Sequence, residues 1–154
     1  MTQLPQPMHI ILVEDDDGHA ALVEKNLRRA GLVNGYTRFR DGQEVVDKLM
    51  GPDAAKDSGL TSTSVVLLDI NMPKLDGIEV LRRLRADERT AMVPIIMLTT
   101  TDNPREIQKC YELGCNVYVT KPVEYDSFVD AIRRLGLFLQ VVKLPPGGTP
   151  LKAG

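Results

Sequence analysis

Four short apolar runs each lead into a residue type that can do chemistry. "HIILV" (His9 to Val13) runs into Glu14, Asp15 and Asp16. "VVLLDI" (Val65 to Ile70) carries Asp69. "PIIMLT" (Pro94 to Thr99) ends in Thr99, and "NVYVT" (Asn116 to Thr120) leads directly into Lys121. Three or four acids brought together repel one another unless a cation joins them. Oxygen ligands suit a hard divalent ion, and Mg2+ commonly takes one or two carboxylates together with phosphate oxygens. A lysine beside them can hold an anion, and a threonine hydroxyl can donate one hydrogen bond to it. Metal, ammonium and hydroxyl would then share the charge of a phosphoryl group. Asp69 can accept such a group as a nucleophilic carboxylate, forming an acyl phosphate.

Taken singly, each residue has a plainer reading. Acids that follow a strand are commonly helix caps, so Asp16 or Asp17 reads as the N-terminal acid of the first helix. Lys121 alone would be a surface ion-pair partner, Thr99 a turn or cap residue, and Tyr118 a half-buried aromatic. Only their arrival together at one edge points to a site.

That arrival depends on the elements. Short, β-branched, apolar runs without polar alternation read as strands buried on both faces. A weaker run, "GYTRFR" (Gly35 to Arg40), adds a fifth strand. Helical stripes alternate with the strands: Ala20, Val23, Leu27 and Ala30; "DGQEVVDKLM", capped by Asp41; "GIEVLRRLRA"; Ile107, Cys110, Tyr111 and Gly114, opened by Asn103-Pro104; and Phe128, Ile132, Leu135 and Leu139. Five strands alternating with five helices define an α/β fold with a doubly wound parallel sheet. Such sheets bind ligands beyond the carboxyl ends of their strands, where the polar residues above would lie.

Composition narrows the function further. Residues 8–143 read as one domain, with an arm at 1–7 and a Pro/Gly-rich flexible tail at 144–154; residues 51–64 form an extended loop. The formal net charge of −2 carries no basic footprint for nucleic acid or a membrane surface. No apolar run is long enough to span a membrane and no signal peptide is evident, so the expected compartment is the cytoplasm. Cys110 and Cys115 are five residues apart, which is no zinc or redox spacing, and they read as reduced packing thiols.

The chain resembles the response regulator receiver domains of two-component signalling. "ILVEDD", "LLDINMPKLDG", "PIIMLTTT" and "YVTKP" occur in the family's order and spacing over residues 8–140. The resemblance implies the five-stranded flavodoxin-like (βα)5 fold with strand order 2-1-3-4-5. It makes Asp69 the phosphoacceptor and Lys121 the contact to the phosphoryl oxygens. Asp15, Asp69 and the main-chain carbonyl of Asn71 would bind Mg2+ or Mn2+, with Glu14 acting through water. Thr99 would be the switch hydroxyl and Tyr118 the switch aromatic, and the Lys121–Pro122 bond would be cis. The loop before the third strand and the fifth helix resemble stand-alone regulators of phytochrome kinases, which implies a histidine kinase partner, a bacteriophytochrome. Output would be protein–protein contact, since the tail is too short for a DNA-binding module. Leu137, Phe138, Val141 and Val142 would face a homodimer partner; the competing reading is a helix end covered by the tail. Two other functions compete: a haloacid-dehalogenase-type Mg2+ phosphatase and an unphosphorylated receiver-like scaffold. The first needs an acid two residues after the nucleophile, where this chain has Asn71. The second requires loss of an acid, the Thr or the Lys, and none is lost.

Overall fold

The computed structural model describes residues 8–29, 33–52, 59–61, 63–122 and 124–141; of 33, 34 and 136–141 it describes the backbone alone. Ten elements follow one another: β1 (Met8–Val13), α1 (Asp17–Arg29), β2 (Val33–Phe39), α2 (Gly42–Met50), β3 (Ser64–Leu68), α3 (Gly77–Ala86), β4 (Ile95–Thr99), α4 (Pro104–Leu113), β5 (Val117–Thr120) and α5 (Tyr125–Val141). The strands are parallel and lie in the order β2-β1-β3-β4-β5, as the sequence implies. The arm at 1–7, the tail and Ala30 fall outside the described residues, and no helix among those described is long and apolar enough to cross a membrane.

The two-residue period of a strand sorts each apolar run onto two faces. Ile11, Val13, Val66, Leu68, Ile95 and Met97 pack on one side with Val45, Leu49, Val80, Leu81, Leu84 and Cys110. Ile10, Leu12, Val65, Leu67, Ile96 and Leu98 pack on the other with Ala20, Val23, Leu27, Phe128, Ile132 and Leu135. The run therefore needs no polar alternation: both faces are covered, by α2, α3 and α4 on one side and α1 and α5 on the other. Cys110 and Cys115 are free and buried, and burial pushes both thiols up to about 11, which keeps them protonated and inert.

Helix starts match their sequence signals. Asp41 caps α2 through the Glu44 N–H at 2.9 Å, and Asn103 caps α4 through the Arg105 N–H at 2.9 Å, with Pro104 following. Gly77 opens α3 where any larger residue would collide, because an added Cβ would lie 2.0 Å from the Asp69 carbonyl oxygen. Close approach there brings the start of α3 against the end of β3. Gly114 closes α4 in the left-handed region at φ 105°.

Two expectations are corrected. Tyr111 is not part of a buried stripe on α4: it is 49% exposed, and its hydroxyl accepts the Tyr118 N–H at 3.1 Å. α4 packs beside β5, the edge strand, and only Cys110 of that stripe is buried. The described peptide bonds include none in cis, so Lys121–Pro122 is trans; the two isomers of an X–Pro bond differ by only about 0.5–1 kcal/mol in intrinsic preference. Finally, the sequence gives Arg85 no role, yet it holds β5 in place. Its guanidinium is half-buried and donates to the carbonyls of Gly114 (2.9 Å), Val93 (2.7 Å) and Ala91 (3.0 Å) and to Asn116 Oδ1 (2.9 Å). Burial without a carboxylate partner lowers its pKa. One side chain thus ties the end of α3 and the approach to β4 to the turn that starts β5. The backbone of α5 passes through 137, 138 and 141, but their side chains and residue 142 lie outside the description, as does Leu139's side chain.

Candidate functional site

The strand register brings the predicted polar residues to one edge. Val13 pairs with Leu68 and Thr99 with Thr120, so the next residues, Glu14, Asp69 and Lys121, emerge side by side. Backbone bonds fix them: Glu14 N–H donates to the Phe39 carbonyl at 3.0 Å, Asp69 N–H to the Val13 carbonyl at 3.1 Å, and Lys121 N–H to the Thr99 carbonyl at 2.6 Å. Arg38 clamps the Glu14 carbonyl with two donors, at 3.0 and 2.8 Å.

Lys121 is the centre of the cluster. Its Nζ lies 2.7 Å from Glu14 Oε2 and 3.2 Å from Asp69 Oδ2, and its side chain is 2% exposed. Carboxylate oxygens of Glu14, Asp15 and Asp69 all lie within 4.8 Å of one another, with Glu14 and Asp69 buried and Asp15 exposed. Burial, then the charge of Asp69, push the Glu14 carboxyl up to about 7; Lys121 opposes both. One ammonium against three carboxyls leaves the site short of positive charge. A hard divalent ion fits that shortage and that all-oxygen donor set.

Asp16 takes the cap role expected of Asp16 or Asp17, and Asp17, the first residue of α1, forms ion pairs instead. Asp16 accepts the His19 N–H at 2.8 Å, which holds its carboxyl below the usual range, and Asp17 pairs with Arg38 at 2.6 Å and Arg40 at 3.2 Å.

The far side of the site converges on Thr101, two residues past Thr99. Thr101 N–H points to Thr99 Oγ1 at 3.5 Å, its hydroxyl accepts from Asn71 Nδ2 at 3.1 Å, and its carbonyl accepts from the Tyr118 hydroxyl at 2.6 Å. Desolvation pushes the Tyr118 phenol up to about 12, so it remains a donor. Thr99, Tyr118 and Asn71 therefore all grip one loop residue. Asn71 also donates its N–H to Asp69 Oδ1 at 3.3 Å. His19 escaped the sequence reading altogether: its Nδ1 lies 3.2 Å from Lys121 Nζ and its ring stacks on Phe128. A lone histidine in the first turn of a helix carries no signal that distinguishes it from a surface residue.

This arrangement is that of a receiver domain. Residues 10–133 match the family model described as response regulator receiver domain, and the chain belongs to that family. Its near structural relatives include phytochrome-associated regulators. A response regulator receiver domain from Rhodospirillum rubrum superposes with TM-score 0.83 at 46% identity, covering 91% of this chain and 99% of that one. Response regulator Rcp1 of Synechocystis sp. is 30% identical over 140 residues, 90% of this chain and 94% of Rcp1. The Mn(2+)-bound form of Rcp1 matches with TM-score 0.80 at 28% identity, over 90% of this chain and 99% of that one. The phosphorylated cyanobacterial phytochrome response regulator RcpA matches with TM-score 0.80 at 28% identity and the same coverage.

A pH dependence follows from Glu14. A carboxyl raised from 4.5 to about 7 prefers its proton in the folded chain, so its contribution to stability is complete below 4.5 and is lost as pH rises through about 7. In EDTA, the unfolding free energy of the wild type relative to Glu14→Gln should fall between pH 4.5 and 7 by on the order of 1–3 kcal/mol. Urea denaturation at several pH values checks this; a flat difference would contradict a raised carboxyl.

Proposed function

We propose that the chain is a response regulator whose Asp69 accepts a phosphoryl group from a histidine kinase. The observation that carries this reading is the Lys121 ammonium, 3.2 Å from Asp69 Oδ2 inside a cluster of three carboxyls. An Asp69 oxygen attacks phosphorus, the phosphorus–nitrogen bond of a phosphohistidine breaks, and its electron pair returns to the imidazole. An acyl phosphate remains on Asp69. Lys121 is positioned to hold an oxygen of the transferred group, and Glu14 holds Lys121 from the other side. Asp15, Asp69 and the Asn71 carbonyl would hold Mg2+ or Mn2+, with Glu14 acting through water; the ion supplies charge neutralisation for the phosphoryl oxygens. Slow water attack returns the carboxylate.

Asn71 supports a switch over a phosphatase. It occupies the place of the general acid that a multiple-turnover phosphatase requires, and its amide donates to Thr101 instead. Thr99 and Tyr118 would read out the modification through Thr101: the Thr99 hydroxyl turns to the phosphoryl group and leaves the Thr101 N–H, and the Tyr118 hold on the Thr101 carbonyl adjusts. The face of α4, β5 and α5 would then change its affinity for partners. The likeness to Rcp1 and RcpA makes a phytochrome histidine kinase, in a bacterium a bacteriophytochrome, the proposed donor.

Acetyl phosphate with a divalent ion should add one phosphoryl group to the wild type and none to Asp69→Asn, read by intact mass or a phosphate-affinity gel. EDTA should abolish the addition, whereas equal labelling of both proteins would overturn the assignment. The apolar residues Leu137, Phe138, Val141 and Val142 support a homodimer through the end of α5. Sedimentation velocity should show Phe138→Asp shifted toward monomer; an unchanged balance would remove that residue from the interface.

A further inference from the structure

Lys121 Nζ has a third neighbour besides the two carboxylates. An ammonium carries three protons and no lone pair, so it can only donate. Three acceptors surround it: Glu14 Oε2 at 2.7 Å, Asp69 Oδ2 at 3.2 Å and His19 Nδ1 at 3.2 Å. For the third contact to be a hydrogen bond, Nδ1 must be the unprotonated nitrogen and the ring neutral, with its proton on Nε2. The ring is held from one further side and its backbone from another. The Asp16 carboxylate accepts the main-chain N–H of His19 at 2.8 Å, which fixes the start of α1, and the imidazole stacks on Phe128 of α5 with centroids 5.0 Å apart and planes 29° apart. Lys121 Nζ itself lies 6.0 Å from the Phe128 ring centroid, on the edge of cation–π range.

We propose that His19 is a positioning residue: its Nδ1 fixes the Lys121 ammonium at the Asp69 carboxylate, and its stacking on Phe128 joins that hold to α5. This inference rests on the phosphoacceptor reading above. A phosphoryl group on Asp69 presents oxygens farther out than the carboxylate, so Lys121 must exchange one acceptor while keeping the others. A long, four-carbon side chain carries much rotamer freedom, and a neutral acceptor on the third side restricts it without adding negative charge. Glu14 alone would draw the ammonium inward, away from the incoming group. The α1–α5 junction, where His19 and Phe128 meet, thereby senses where Lys121 points.

Two substitutions separate this role from packing. His19→Phe keeps an aromatic ring over Phe128 and removes the acceptor. His19→Asn places a carbonyl oxygen close to where Nδ1 stands and removes the ring. With acetyl phosphate as donor, His19→Phe should keep the wild-type melting temperature and label about five- to tenfold more slowly, as loss of one net hydrogen bond implies. His19→Asn should recover to within about twofold of the wild type. In metal-free protein without donor, the nitrogen resonance of His19 Nδ1 should move when Lys121 is replaced by Met. The inference is overturned if His19→Phe labels at the wild-type rate, if His19→Asn labels as slowly as His19→Phe, or if the Nδ1 resonance ignores Lys121→Met. A wild type that takes no label at all overturns the phosphoacceptor reading itself, and this inference with it.

Discussion

The structure is organised around one buried ammonium. Lys121 sits almost without solvent between Glu14 and Asp69. Taking a lysine and two carboxylates out of water is unfavourable unless each finds a partner, and removing one partner leaves an uncompensated buried charge. The arrangement is tolerable because Lys121 has a suitable acceptor for each of its three protons and because Glu14 can take up a proton at moderate pH. It is useful because the imbalance that remains, more carboxylate than ammonium, is what a divalent ion would resolve, leaving the ammonium to hold a phosphoryl oxygen.

Backbone geometry brings these side chains to Lys121. Parallel register sets the ends of β1, β3 and β5 level, and the two-faced core makes that register costly to change, since a one-residue slip would exchange each strand's side chains between two differently packed faces. Gly77 lets α3 close against the Asp69 carbonyl. Arg85, on the opposite end of the sheet, anchors the turn into the edge strand that carries Lys121. An edge strand is the least constrained in a sheet, so a half-buried cation joining the start of β5 to the approach to β4 has a clear structural use.

Much of this was legible in the sequence because it depends on local pattern. Apolar runs fixed the strands, caps at Asp41 and Asn103 fixed two helix starts, and the polar residue after each central run fixed the site. What could not be read depends on neighbours far along the chain. Arg85 looks like one more basic residue in "RRLRA", and only the fold shows it facing carbonyls rather than water. Tyr111 obeys a helical stripe, but its helix packs beside the edge strand, so the period misreports its burial. Thr101 and His19 gain their significance from partners 17 to 102 positions away, which no local period encodes. The Lys121–Pro122 bond, expected in cis from the resemblance, is trans, and no local pattern decides between isomers so close in energy.

Two routes lead away from the site. On one side Thr99, Asn71 and Tyr118 hold Thr101, ahead of α4. On the other, Lys121 reaches α5 through His19 and Phe128. Both begin at Asp69, so the identity of the acceptor decides whether either carries a signal. The direct measurement is borohydride reduction of the chain after acetyl phosphate treatment, followed by peptide mapping. Reduction of an aspartyl phosphate gives homoserine, predicted at position 69 and at no other aspartate. Homoserine at Asp15, Asp16 or elsewhere, or phosphate that resists reduction on a hydroxyl or imidazole, would contradict it.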